Sequence, residues 1–245
     1  MNDFILQTEE LAIGYNRNNV VKVQCNLSLQ MMEHTVTALI GPNGIGKSTL
    51  LRTLCGLQQP LSGKISIKGE LIEQLSVNKR AKLISVVMTG NEANNLSVKE
   101  IVSIGRQPYT NWLGNLREED KNMIENALSI VNIKHLENRK LQELSDGEKQ
   151  RVWIAKALAQ DTPIILLDEP TSHLDYANRR EVFSLLKNLS RTGKTILIST
   201  HEIDLALQFA DQIWVMKKGV TANTPAEIEK EGILERLWGY TKNPR

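Results

Sequence analysis

The sequence predicts an α/β fold with a mainly parallel sheet covered by helices, and three observations carry that prediction. Two apolar runs of strand length, within PIILLDEP at 163–170 and KTILIST at 194–200, are separated by the helical pattern NRREVFSLLKNLS. Fully apolar strands alternating with helices mark a parallel sheet buried on both faces. A third strand, TVTALI, runs into the glycine-rich GPNGIGKST, and STLLRTLCGL continues with helical periodicity. With 245 residues and 41% hydrophobic content the chain can bury a substantial core, so one domain spanning 1–245 is expected.

Taken in order, FILQTEELAIGY and VVKVQCNLSLQM alternate as strands do before TVTALI is reached. KISIKG is a short strand stopped by Gly69, and ISVVM, from Ile84, reads as a buried one. From about Ser97 to Gln142 the character changes, because SVKEIVSIG and EEDKNMIENALSIVNI carry helical spacing with few β-branched runs. This is read as a helical subdomain inserted at about 88–157 once the next helix is included. That next helix opens at LSDGEKQR, where Ser145 and Glu148 stand three apart ahead of VWIAKALA, the signature of a capping box. QIWVM, the turn KKG and a final helix close the domain, with Thr224, Pro225 and Glu227 supplying cap, first-turn proline and capping-box acid.

Composition narrows the function. The net charge of +2 is small and the charged residues are interspersed, which offers no case for a nucleic-acid partner. Cys25 and Cys55 complete neither a metal site nor a disulfide framework and are read as buried thiols in a reducing cytosol. His34, His135 and His173 suggest no metal constellation. MNDFILQTEE has acidic residues where an export signal is basic, and the longest apolar runs are strand-sized where a bilayer span needs about 20 residues. Neither an export signal nor a membrane span is expected.

The chemistry is concentrated at the strand ends. GPNGIGKST fits G-x-x-x-x-G-K-[ST] through Gly41, Gly46, Lys47 and Ser48, in the strand-then-helix context the motif requires. The loop from Gly41 through Pro42, Asn43, Gly44, Ile45 and Gly46 to Thr49 can wrap phosphates with the backbone N–H groups of all but Pro42; Lys47 reaches the outer ones and Ser48 can ligate Mg²⁺. PIILLDEP delivers Asp168 and Glu169 at a strand's carboxyl end, where open α/β sheets bind ligands. Asp168 is the metal candidate and Glu169 the group to polarise an attacking water. KTILISTHE brings His201 to a third strand end, within reach of the terminal phosphate or that water, and Tyr15 is an aromatic able to stack on adenine.

Tyr15, GPNGIGKST, LSDGEKQR, IILLDEP, SHLD ending in Asp175 and STHE at His201 follow the order and spacing of an ATP-binding cassette, and the chain resembles that family from about residue 4 to about 232. The resemblance implies a P-loop NTPase core with an N-terminal antiparallel β subdomain and the inserted α-helical subdomain. It implies an ATPase that uses ATP and Mg²⁺ and works as a head-to-tail homodimer. In such a pair, Ser145, Gly147, Glu148 and Asp175 of one copy face the ATP held by the phosphate loop of the other. One chain then has two anion sites because each belongs to a different ATP.

Two positions depart from the family pattern. LSDGE carries Asp146 and Glu148 where the family usually has Gly and Gln, while Gly147 is retained. In ISVVMTGNEANN the family's metal-ligating Gln is replaced by Thr89, whose hydroxyl reaches less far. The stretch VKEIVSIGRQPYTNWLG resembles cassettes serving iron-siderophore, haem and cobalamin importers. That implies integral membrane permease subunits and a substrate-binding protein as partners, with the cassette cytoplasmic and peripheral on the inner face of the membrane. The competing expectation is a soluble ABC ATPase that transports nothing, such as an iron-sulfur cluster assembly component.

Overall fold

A computed structural model describes residues 4–17, 19–88, 95–111 and 114–238. The chain begins with β1 (Phe4–Arg17), β2 (Asn19–Leu27), β3 (Gln30–Met32) and β4 (Val36–Ile40), followed by α1 (Lys47–Leu54). Next come β5 (Ser62–Ile67), β6 (Glu70–Leu71), α2 (Val77–Ala81) and β7 (Ile84–Val87). Three helices follow, α3 (Val98–Ile104), α4 (Glu118–Ile130) and α5 (Asp146–Ala159), before β8 (Ile164–Asp168), α6 (Tyr176–Arg191) and β9 (Thr195–Thr200). The last elements are α7 (Ile203–Phe209), β10 (Gln212–Lys217), β11 (Gly219–Asn223), α8 (Pro225–Lys230) and α9 (Ile233–Trp238).

Two sheets result. An antiparallel one runs β2-β1-β5-β6 with β3 also on β1. The other runs β11-β10-β4-β9-β8-β7, parallel throughout except at the β10–β11 hairpin. Every residue of β4, β8 and β9 is buried, which explains why these strands read as unbroken apolar runs. The period-2 alternation of a strand then divides them between two cores. Ala38, Ile165, Leu167, Ile196 and Ile198 face the core that holds Phe183 and Leu186 of α6. Leu39, Leu166, Leu197 and Trp214 face the other, where Leu50, Leu51 and Leu54 of α1 meet Leu6, Leu11 and Ile65 of the antiparallel sheet. Helix α1, which opens at the phosphate loop, is therefore held between the two sheets.

Two expectations need correction. The sequence has a helix follow the KKG turn directly, but Gly219–Asn223 first folds back on β10 as β11. These residues carry too few apolar side chains to read as a strand; the pairing is set by the turn. Cys25 is exposed, and only Cys55 is buried. The cause is a break in the β1–β2 register between Leu11↔Leu27 and Ile13↔Gln24, with Asn26 at φ 55°; it turns Gln24 inward and Cys25 outward. Among the described residues no helix is long and apolar enough to cross a membrane.

Helices α3, α4 and α5 are joined by one buried polar knot. Arg106, after α3, donates from Nε to Asp120 Oδ1 of α4 at 2.9 Å and from Nη1 to the Ala159 carbonyl of α5 at 2.8 Å. The Arg117 N–H holds the other Asp120 oxygen at 2.9 Å, and the Tyr109 ring covers the guanidinium at 4.0 Å. Burial pushes the Asp120 carboxyl up, but the Arg117 N–H and Arg106 outweigh it and hold the acid below its ordinary range. Removing one partner strands the other charge in the interior. Asp120→Ala is expected to cost about 3–5 kcal/mol in urea unfolding; a loss under about 1 kcal/mol would show that the knot is not cooperative.

Candidate functional site

The loop between β4 and α1 is shaped by what lies on either side of it. A Cβ on Gly41 would stand 2.8 Å from the Met216 carbonyl of β10, and one on Gly46 would stand 2.4 Å from Val23 Cγ1 of β2. Gly46 also has φ 113°, a left-handed conformation that L side chains avoid, and it is the residue from which α1 starts. Glycine is thus required here by both space and backbone. The loop borders an open cleft of ≈ 350 Å³ whose wall includes Asn43, Gly44, Gly46, Lys47, Ser48 and Thr49, with Tyr15 on one side and Glu169 on the other. The Tyr15 hydroxyl lies 3.0 Å from Thr49 Oγ1, which leaves the ring at the rim, 39% exposed.

Lys47 is 4% exposed, and its ammonium is the point where the strand ends converge. Nζ donates to the Gly41 carbonyl at 2.9 Å and to that of Pro42 at 3.3 Å, and it pairs with Glu169 Oε1 at 3.3 Å. Burial lowers its pKa; Glu169, and more weakly Asp168, act in the opposite direction. His201 Nε2 stands 2.7 Å from the same Glu169 oxygen and 3.1 Å from Lys47 Nζ. One imidazole nitrogen cannot donate to the first and accept from the second at once. The tautomer with hydrogen on Nε2 satisfies the shorter contact, and Lys47 keeps its two carbonyls and Glu169. Three strands therefore bring an ammonium, a carboxylate and an imidazole together beside a glycine cradle. Such a set can hold a polyanion and take a proton from water.

Ser199 on β9 is a participant that the motif reading did not name. Its hydroxyl donates to Asp168 Oδ1 at 2.7 Å and accepts from the Glu169 N–H at 2.9 Å. The Glu169 backbone is left-handed, with φ 46°, a conformation that these contacts help to hold. Only its place two residues before His201, across the β8–β9 register, signals the role. Gln24 was also missed, because a glutamine in an alternating strand reads as solvent-facing.

The second predicted anion site lies on α5. Ser145 and Glu148 form the expected capping box: the Ser145 N–H and O–H each reach Glu148 Oε2 at 2.8 Å, and the Glu148 N–H reaches Ser145 Oγ at 3.4 Å. These two donors, the N–H first, hold the Glu148 acid below its ordinary range. Gly147 has open contact distances, with Asn178 at 3.6 Å from a built Cβ. Neither Ser145 nor Gly147 borders the phosphate-loop cleft. Asp175 caps α6, accepting from the Asn178 N–H at 2.9 Å and from its side-chain amide at 3.0 Å. Thr89 lies outside the described residues.

A strand, phosphate loop and helix, with an acidic strand end placed across one intervening strand, define the P-loop class of nucleotide-binding α/β proteins. Residues 25–172 match the ABC transporter family, and the chain belongs to it. ABC transporter ATP-binding subunits bind and hydrolyse ATP, and this chain is such a subunit. The chain is 38% identical over 237 residues to the achromobactin transport ATP-binding protein CbrD of Dickeya dadantii, covering 95% of this chain and 87% of that protein. It is 37% identical over 237 residues to the iron(3+)-hydroxamate import ATP-binding protein FhuC of Bacillus subtilis, with the same coverage of 95% and 87%. A dimeric post-hydrolysis structure of the cassette MJ0796 bound to ADP and Pi superposes with a TM-score of 0.78 at 28% identity, over 90% of this chain and 98% of that one.

Removing the Ser199 hydroxyl should leave the buried Asp168 carboxylate short of a donor. Ser199→Ala is expected to lower unfolding free energy by about 1–3 kcal/mol and to slow ATP turnover, read by urea titration and phosphate release. Unchanged stability and turnover would mean that Ser199 does not hold the two acids.

Proposed function

We propose that this chain is the ATP-driven motor of an importer for iron-siderophore chelates, acting as a head-to-tail pair docked on membrane permease subunits. The observation that carries the motor reading is the pairing of Lys47 with Glu169 on the wall of the phosphate-loop cleft, with His201 against the same Glu169 oxygen. The import reading draws on the names of the achromobactin and hydroxamate relatives and on the helices between β7 and β8, which offer a docking subdomain. In the assembled importer a substrate-binding protein delivers the chelate, and the cassette sits on the cytoplasmic side of the membrane.

In this reading the loop amides and Lys47 hold the phosphates of ATP, and Tyr15 meets the adenine. Glu169 takes a proton from the attacking water as the water oxygen bonds to the terminal phosphorus. The bond to the bridging oxygen breaks, and ADP leaves with that electron pair. His201 fixes the orientation of Glu169 through the 2.7 Å contact. Among the described residues no group of three or more His, Cys, Asp and Glu side chains is set to hold a metal. Ser48 and Asp168 would be the protein's ligands for a Mg²⁺ ion bound with the phosphates. Mg²⁺, when bound, neutralises charge on the phosphate oxygens. Ser145, Gly147 and Asp175 of the partner subunit close over the terminal phosphate.

Glu169→Gln is expected to bind ATP yet hydrolyse it at least about a hundredfold more slowly, and to accumulate as an ATP-held dimer in sedimentation. Wild-type turnover in that variant would remove Glu169 from the reaction. Lys47→Ala should abolish ATP binding, and retained affinity would argue against the loop's assignment. Glu148→Gln should tighten the ATP-held dimer, because it removes a negative charge beside the phosphate while its amide oxygen still accepts from Ser145; a weaker dimer would contradict that placement. Extraction of native membranes with detergent should recover the chain with a polytopic permease. Recovery in a purely soluble complex would favour a non-transport ATPase.

A further inference from the structure

Gln24 makes more of its side chain than any residue of β2 needs for strand pairing. The bulge at Asn26 turns it inward, where it is 7% exposed. Its amide nitrogen donates to the Ile45 carbonyl of the phosphate loop at 3.2 Å and to the Lys217 carbonyl at 2.8 Å. Its amide oxygen accepts from the Gly219 N–H, across the β10–β11 turn, at 2.8 Å. Only this orientation works, because the flipped amide would set its oxygen against two carbonyls and its N–H₂ against an N–H.

We infer that Gln24 is a positioning residue for nucleotide binding, which fixes the Ile45–Gly46 peptide of the phosphate loop and ties it to the β10–β11 turn. The inference rests on the nucleotide-binding reading above. A trans peptide is planar, so its C=O and N–H point in opposite directions. No cis peptide occurs among the described residues. When Gln24 holds the Ile45 oxygen on the β2 side, the Gly46 N–H must face away from β2. Gly46 is the N-cap of α1 and borders the cleft, so that N–H belongs to the set presented to a phosphate. Among the described residues no other side-chain amide is seen in a hydrogen bond to the loop backbone: Val23 limits Gly46 by bulk and Met216 limits Gly41 by its carbonyl, and neither chooses which way the Ile45 peptide turns. The Gln24 amide makes that choice, and the β10–β11 turn sets where the amide stands.

The test compares Gln24→Leu and Gln24→Glu with the wild-type chain for ATP affinity, steady-state KM and kcat, and thermal melting without nucleotide. Leu keeps the bulk and cannot hydrogen-bond; Glu keeps the contact to Gly219 and turns the donor into an acceptor facing two carbonyls. Both variants are expected to weaken ATP binding and raise KM at least about tenfold, equivalent to about 1.4 kcal/mol, with kcat at saturating ATP within about threefold. If either folded variant binds ATP with wild-type affinity while melting at a lower temperature, Gln24 is only a structural tie and the inference is overturned. Failure of the wild-type chain itself to bind ATP would instead sink the nucleotide reading on which the inference rests.

Discussion

A buried ammonium has to be matched, and the matching of Lys47 organises this protein. With 4% of the residue exposed, Lys47 cannot rely on water for its charge. Its partners are the loop carbonyls at 41 and 42 and Glu169 after β8, and His201 after β9 is held against the same Glu169 oxygen. They meet only because β4, β9 and β8 are adjacent and parallel, so that their carboxyl ends fall on one edge of the sheet. The unbroken apolar character of those strands buries them on both faces and leaves the edge as the place for charge.

The rest of the fold serves that edge. Helix α1 sits between the two sheets and cannot shift without disturbing Leu50, Leu51 and Leu54 in the core they share. The antiparallel sheet contributes Val23 and Gln24 to one side of the phosphate loop, and β10 contributes Met216 to the other. Ser199 braces both acids at the end of β8. A site that handles a polyanion without rearranging needs this kind of support, since each donor must be in place before the ligand arrives.

The motifs made much of this legible from sequence. GPNGIGKST, PIILLDEP and KTILISTHE were readable because each joins an apolar strand to a polar residue type with a known task, and the structure brings their strand ends together. The capping boxes at Ser145 and Thr224 were readable because they are local, set by spacing alone. What stayed hidden depends on contacts far apart in sequence. Gln24 is separated from Lys217 by 193 residues, and its inward turn comes from a bulge that no composition rule marks. The same bulge exposed Cys25, which frequency alone assigned to the interior. Strand β11 escaped because pairing to β10, rather than its own side chains, makes it a strand.

In the proposed pair, one ATP is held by the phosphate loop of one copy and the α5 N-terminus of another. The direct measurement is the number of ATP molecules trapped in a mixed dimer, with Glu169→Gln in both protomers to stop hydrolysis. One protomer carries Lys47→Ala and the other Ser145→Glu, so neither forms an ATP-held dimer alone. Mixing them should restore a dimer containing one ATP, since one complete pocket is then assembled across the pair. A mixture that stays monomeric, while each variant alone behaves as it did before, would contradict the shared pocket.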